Sequence, residues 1–177
     1  MVARIAGLGG ADRRTEILRA KDEGTLDDRV TAAEATLSAL GTEVDALPLG
    51  EVAYAQITTS SAAFTALTVI SGLSVTFTAV AGRRYRFTFK FEQVMSVATD
   101  VFVFNLEDTV STLSRFTFPT NTTSSTSHMV SYVSNSSISG SKTWRVNGAR
   151  AAGSGNCVVG AGSTYPAYVL VEDIGTL

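Results

Sequence analysis

Arg84-Tyr85-Arg86-Phe87-Thr88-Phe89-Lys90-Phe91-Glu92 sets an aromatic ring at every second position, with charged or hydroxylated side chains between. A strand turns alternate residues to opposite faces, so Tyr85, Phe87, Phe89 and Phe91 share one face and Arg84, Arg86, Thr88 and Lys90 the other. The aromatic face must be core, and the basic face is expected to be solvated. Similar short runs of β-branched and aromatic residues, separated by Gly, Asn and Ser, predict strands near 53–59, 63–70, 73–80, 84–92, 99–107, 112–118, 128–134, 142–149, 156–160 and 166–173, with Ser71-Gly72 as a turn. No helical pattern intervenes. The expected fold is therefore mainly β, an antiparallel β-sandwich of jelly-roll-like or related Greek-key type, with 120–127 and 134–141 as exposed Ser/Thr-rich loops.

Upstream of this head the periodicity changes. Leu26, Val30, Ala33, Leu37, Leu40, Val44 and Leu47 follow one another at alternating spacings of four and three. That is the seam of a coiled coil, with Val30, Leu37 and Val44 at a and Leu26, Ala33, Leu40 and Leu47 at d. A stripe this narrow suits another copy of the same helix better than a globular surface. Arg29 at g and Glu34 at the following e carry opposite charges at the separation that pairs parallel helices. At about 1.5 Å per residue the stalk is roughly 33 Å long, and so short a coil needs support from the rest of the chain. Thr25 with Asp28 resembles a capping box after a helix-stopping Gly24, while Pro48 and Gly50 close the segment. The expected organisation is an N-terminal docking arm at 1–24, a short parallel coiled-coil stalk at 25–47 and a β-sandwich head at 48–177.

Charge divides at the same boundary. Residues 1–51 hold 6 basic and 10 acidic side chains, and residues 52–177 hold 8 and 6. The net charge of −2 gives no electrostatic reason to bind nucleic acid. From Val52 to Ala81 the chain is uncharged, but Val75-Thr76-Phe77-Thr78-Ala79 alternates at period two, so strands rather than a membrane span are expected. Met1 to Gly10 has no continuous apolar run, and no secretory signal is expected.

Material for catalysis is sparse. Cys157 is the single cysteine and reads as a buried thiol; His128 is the single histidine and reads as an exposed or hydrogen-bonded strand residue. From residue 52 on the carboxylates are Glu92, Asp100, Glu107, Asp108, Glu172 and Asp173, and adjacent residues such as Glu107-Asp108 point to opposite sides of a strand. Gly7-Leu8-Gly9-Gly10-Ala11-Asp12 lacks the last glycine and the preceding strand of a dinucleotide fingerprint. The bases and aromatics of 84–90 lie on opposite faces and cannot jointly bind RNA. Trp144 reads as a buried sandwich tryptophan, and the Asn121 and Asn135 sequons as chance matches. No enzymatic activity, cofactor or metal is expected.

Ala79-Val80-Ala81-Gly82-Arg83-Arg84-Tyr85-Arg86-Phe87 and Tyr165-Pro166-Ala167-Tyr168-Val169-Leu170-Val171-Glu172-Asp173-Ile174-Gly175 resemble the central and C-terminal strands of a β-sandwich domain. That domain recurs in small virion proteins, often called minor tail proteins, of tailed bacteriophages infecting actinobacteria. The resemblance covers about residues 50–177, and 11 Arg against 3 Lys fits a GC-rich host. It implies a structural or adhesive virion component with no catalytic residues, a homotrimer, made in the host cytoplasm and carried on the virion surface. The expected part is a short fibre or decoration protein on capsid or tail, docked through 1–24 on a capsid or tail protein. The competing readings are a carbohydrate-binding adhesin for host cell-surface glycan and, further off, a glycan-degrading spike.

Overall fold

The computed structural model describes residues 10–120 and 123–176. The chain divides into two compact units, 1–46 and 47–177. The first contains α1 (Gly10–Ala46). Its start corrects the capping expectation: the helix runs unbroken through Gly24 and Thr25, so part of the predicted arm is helical. One interior glycine costs about 1 kcal/mol relative to alanine, too little to stop a helix continued from both sides. Thr36 and Thr42 return their hydroxyls to the carbonyls of Ala32 and Ser38 at 2.8 and 3.1 Å, the usual escape of Thr within a helix. Residues 1–9 of the predicted arm lie outside the described residues. Leu47 sits at a bend just past the helix.

The second unit is mainly β. Its strands are β1 (Gly50–Ile57), β2 (Thr68–Ala79), β3 (Arg83–Met95), β4 (Val101–Glu107), β5 (Thr112–Pro119), β6 (Thr126–Val133), β7 (Gly140–Ala152), β8 (Cys157–Gly160) and β9 (Ala167–Thr176). One sheet has the order β1-β9-β3-β6, with β8 also on β3, and the other has the order β2-β7-β4-β5. All pairings are antiparallel. Strands β8 and β9 lie end to end along β3, opposite 92–95 and 83–90, so they act as one strand line interrupted at 161–166.

The aromatic alternation of β3 builds the core as expected. Tyr85, Phe87, Phe89 and Phe91 are buried, facing Phe102, Phe104 and Leu106 of β4 and Trp144 and Val146 of β7. Phe77 meets Trp144 edge-on at 4.9 Å, and Phe91 meets Phe104 at 4.7 Å. Such tilted contacts suit the quadrupoles of aromatic rings.

Three local expectations are corrected. No strand occupies 63–67; Phe64 alone bridges Cys157. Ser71-Gly72 is not a turn between strands but a bulge within β2, where the register shifts between Val69 and Ser74 and Gly72 adopts φ +82°. Ser134, expected in an exposed loop, is buried: its N–H donates to the Tyr85 carbonyl and its Oγ accepts from the Tyr85 N–H at 3.0 Å.

Candidate functional site

Leu26, Val30, Ala33, Leu37, Leu40 and Val44 lie on α1 with their side chains exposed, and Leu47 follows at the bend. The large ones, Leu47 included, are 47–69% exposed. Arg29 and Glu34 beside them are also exposed. Scattered exposed leucines are ordinary; these repeat at heptad spacing, and each is exposed.

The two outer faces of the sandwich differ. On the β1-β9-β3-β6 sheet, Tyr54, Tyr168, Leu170, Met129 and Val133 sit among Arg86, Thr88, Lys90 and Glu172. Met129 is 64% exposed. The basic side chains stand on the outer face as the sequence predicts, Arg86 exposed and Arg84 and Lys90 half-buried, but apolar side chains stand among them. Arg86 donates to Glu172 from Nε at 3.0 Å and from Nη2 at 2.9 Å. Lys90 lies 5.8 Å from the centre of the Tyr168 ring, and that ring lies 5.7 Å from Tyr54. The Tyr54 hydroxyl donates to Gln56 Oε1 at 2.8 Å, and burial with the nearby Tyr168 and Glu51 raises its pKa. A shallow hollow of about 420 Å³ lies between Arg86, Met129, Ser131 and Leu170. The opposite sheet presents Ser74, Thr76 and Thr78 to solvent, with Thr76 and Thr143 hydroxyls 2.9 Å apart.

A second hollow of about 400 Å³ lies where the β1–β2 connection meets the β2 bulge, among Ile57, Thr59, Ser60, Ser61, Thr68 and Gly72. Its hydroxyls already serve the fold. Ser60 Oγ accepts from the Ala161 N–H at 3.2 Å and Ser61 Oγ from the Val159 N–H at 3.0 Å, which ties the connection to β8.

The titratable groups are likewise engaged. His128, expected to be exposed or hydrogen-bonded, packs its ring 4.5 Å from Phe118 and 5.3 Å from Phe91, with Nε2 buried and without a hydrogen-bond partner. Burial pulls its pKa down. Cys157 is buried, and burial pushes its thiol up to about 12, which removes the thiolate a nucleophile requires. Asp108 caps the β4–β5 turn through the N–H groups of Val110 and Ser111 at 2.8 and 2.6 Å; these bonds hold its carboxyl below the usual range. Glu107 instead faces Arg145 at 3.5 Å. Buried Asp100 accepts from the Ser154 and Gly155 N–H groups, and a side chain on Gly153, at φ +98°, would collide with its carboxyl.

Buried Asp173 pairs with Arg83 Nε and accepts from the Gly175 N–H at 2.8 Å, while Arg83 Nη2 donates to the Leu47 carbonyl. This pair was not legible from the sequence, because its members are 90 residues apart. The outer apolar face did leave a trace. Ala167-Tyr168-Val169-Leu170-Val171 is apolar without alternation, the pattern of a strand covered on both sides.

Among the described residues no three His, Cys, Asp or Glu side chains gather to hold a metal ion, and no helix is long and apolar enough to cross a membrane. No family model matches the chain, and no curated protein matches it.

Proposed function

We propose that this chain is a self-associating structural protein of a bacteriophage virion: a homotrimeric short fibre or decoration protein with a parallel coiled-coil stalk and a jelly-roll head. The observation that carries the reading is the seam, whose leucines and valines repeat at heptad spacing and are all exposed. The strand order supports the jelly roll. The antiparallel pairs β1–β9, β2–β7, β3–β6 and β4–β5 form a long hairpin rolled across two sheets, a form found in capsid and lectin domains. Fold alone does not fix function. The link to a virion rests on the resemblance of 79–87 and 165–175.

In this reading residues 1–24 dock on a capsid or tail protein, the head faces solvent on the particle surface, and no catalysis or cofactor is involved. A second reading, a carbohydrate-binding adhesin, is favoured by one observation, the neighbouring Tyr54 and Tyr168 rings on an outer sheet face. Immunogold labelling of intact particles tests the proposal directly. Label on capsid or tail supports it, whereas particles without label and free protein in the lysate remove it. Deletion of 1–24 should leave a soluble oligomer that fails to join particles.

A further inference from the structure

We infer that the outer face of the β1-β9-β3-β6 sheet, from Tyr54 across Leu170 to Met129, packs against a second copy of this chain and extends the stalk interface into the head. The inference rests on the self-association proposed above and names where it continues.

Four observations select this face and this occupant. Exposed apolar side chains mark the start of the head: Leu47, Leu49, Val52 and Tyr54 are 58, 69, 36 and 44% exposed. Cross-strand register then carries the patch from Tyr54 to Leu170 and, across Thr88, to β6, where Met129 flanks Ser131. Second, the unalternated apolar run of β9 needs cover on both sides in an antiparallel sandwich, and the core supplies only one. Third, two of the cations on the face already have partners: Arg86 is paired with Glu172, and Lys90 lies 5.8 Å from the centre of the Tyr168 ring.

The fourth is reach. Leu47 and Gly50 are three residues apart, at most about 11 Å, and packed helices lie about 8–10 Å apart, so the β1 strands of two seam-joined copies begin within roughly 30 Å of each other. Arg83 narrows this further. By holding the Leu47 carbonyl while paired with Asp173, it fastens the first residue of the head to β3 and β9, the central strands of this sheet and not of the other.

The test uses the full chain and single introduced thiols, because buried Cys157 does not compete for a maleimide. Ser131→Cys probes the centre of the face, and Thr78→Cys probes the outer face of the other sheet; both positions are exposed. In the oligomer, labelling at Ser131→Cys should be about tenfold or more slower than at Thr78→Cys, since protection now requires opening the interface. Adding Leu37→Asp and Leu40→Asp should abolish the difference. An oligomer that labels equally at both thiols overturns the head interface and leaves the stalk standing. If Ser131→Cys then slows only when cell-wall glycan is added, the occupant is carbohydrate, which also overturns it. A monomeric full chain overturns both readings. Protection and oligomerisation that both survive Leu37→Asp/Leu40→Asp support the head interface and remove the seam.

Discussion

Leu37 on α1 is 69% exposed, whereas Phe104 on β4, no more apolar in kind, is fully buried against Phe64, Phe89, Phe91 and Phe118. The sandwich buries its aromatic core within one chain, whereas the heptad stripe of the helix stays exposed. Hydrophobic burial is worth about 25 cal/mol per Å², and a helix that buries nothing is held only by backbone hydrogen bonds, which are marginal in water. On the proposed reading the head folds alone and the helix folds with a partner. The outer face of the β1-β9-β3-β6 sheet lies between these extremes.

The sharpest break of this contrast is the double substitution Leu37→Asp/Leu40→Asp. It puts charges into adjacent layers of the seam, so the oligomer should dissociate completely and much of the helical signal should disappear. The thermal transition of the head should shift by only a few degrees. Light scattering and circular dichroism read both arms. An oligomer of unchanged mass would show that the seam is not what joins the copies.

Phe104→Ala inverts the test. A large cavity in the sandwich should cost the head about 3–5 kcal/mol in denaturant unfolding, with the helix substitution pattern untouched. A loss below about 1 kcal/mol would mean that the aromatic cluster is not the packing centre.

Arg83→Met probes the join between the two regimes. Asp173 is 1% exposed, and removing its cation leaves a buried carboxylate without a counter-charge, a loss of about 3–5 kcal/mol by analogy with other buried pairs. Adding Asp173→Asn should restore part of it, because a neutral amide can stay buried and still accept from the Gly175 N–H. No recovery in the double variant would assign the effect to the Arg83 contact with Leu47 instead.

How much of this was legible beforehand follows from the range of each interaction. The β3 alternation and the seam are one-dimensional periods, and the sequence displays them whole. Local signals misled where propagation won: Gly24 and Thr25 look like a stop and a start, yet a helix already formed on both sides passes over them. Ser71-Gly72 has turn composition, but a bulge wants the same residues, and only the pairing of β2 with β7 tells which one forms. The partners of Arg86 and Lys90 could not be read from β3, because the anion and the ring, Glu172 and Tyr168, come from β9. Asp100 and Asp173 likewise looked like spare carboxylates until the chain brought their donors to them.

The smallest expected effect is a pH dependence of the head. His128 stands in the aromatic layer between β6 and β5, and burial, with no opposing charge, lowers its pKa from 6.5. The folded chain therefore favours the neutral ring, while the unfolded chain takes up a proton near pH 6.5. Its share of the stability is complete above that pH and is lost as pH falls through the lowered folded value. Asp108 is also lowered, but from 3.8, so its loss begins at more acid pH and does not confuse the reading. Between pH 7.5 and 5 the melting temperature of the head should fall, and His128→Gln, which cannot gain a proton, should flatten that slope. With no second histidine in the chain, a slope unchanged in His128→Gln would place the titrating group elsewhere and remove His128 from the account. The seam offers the control: it contains no histidine, so dissociation of the oligomer should not follow the same curve.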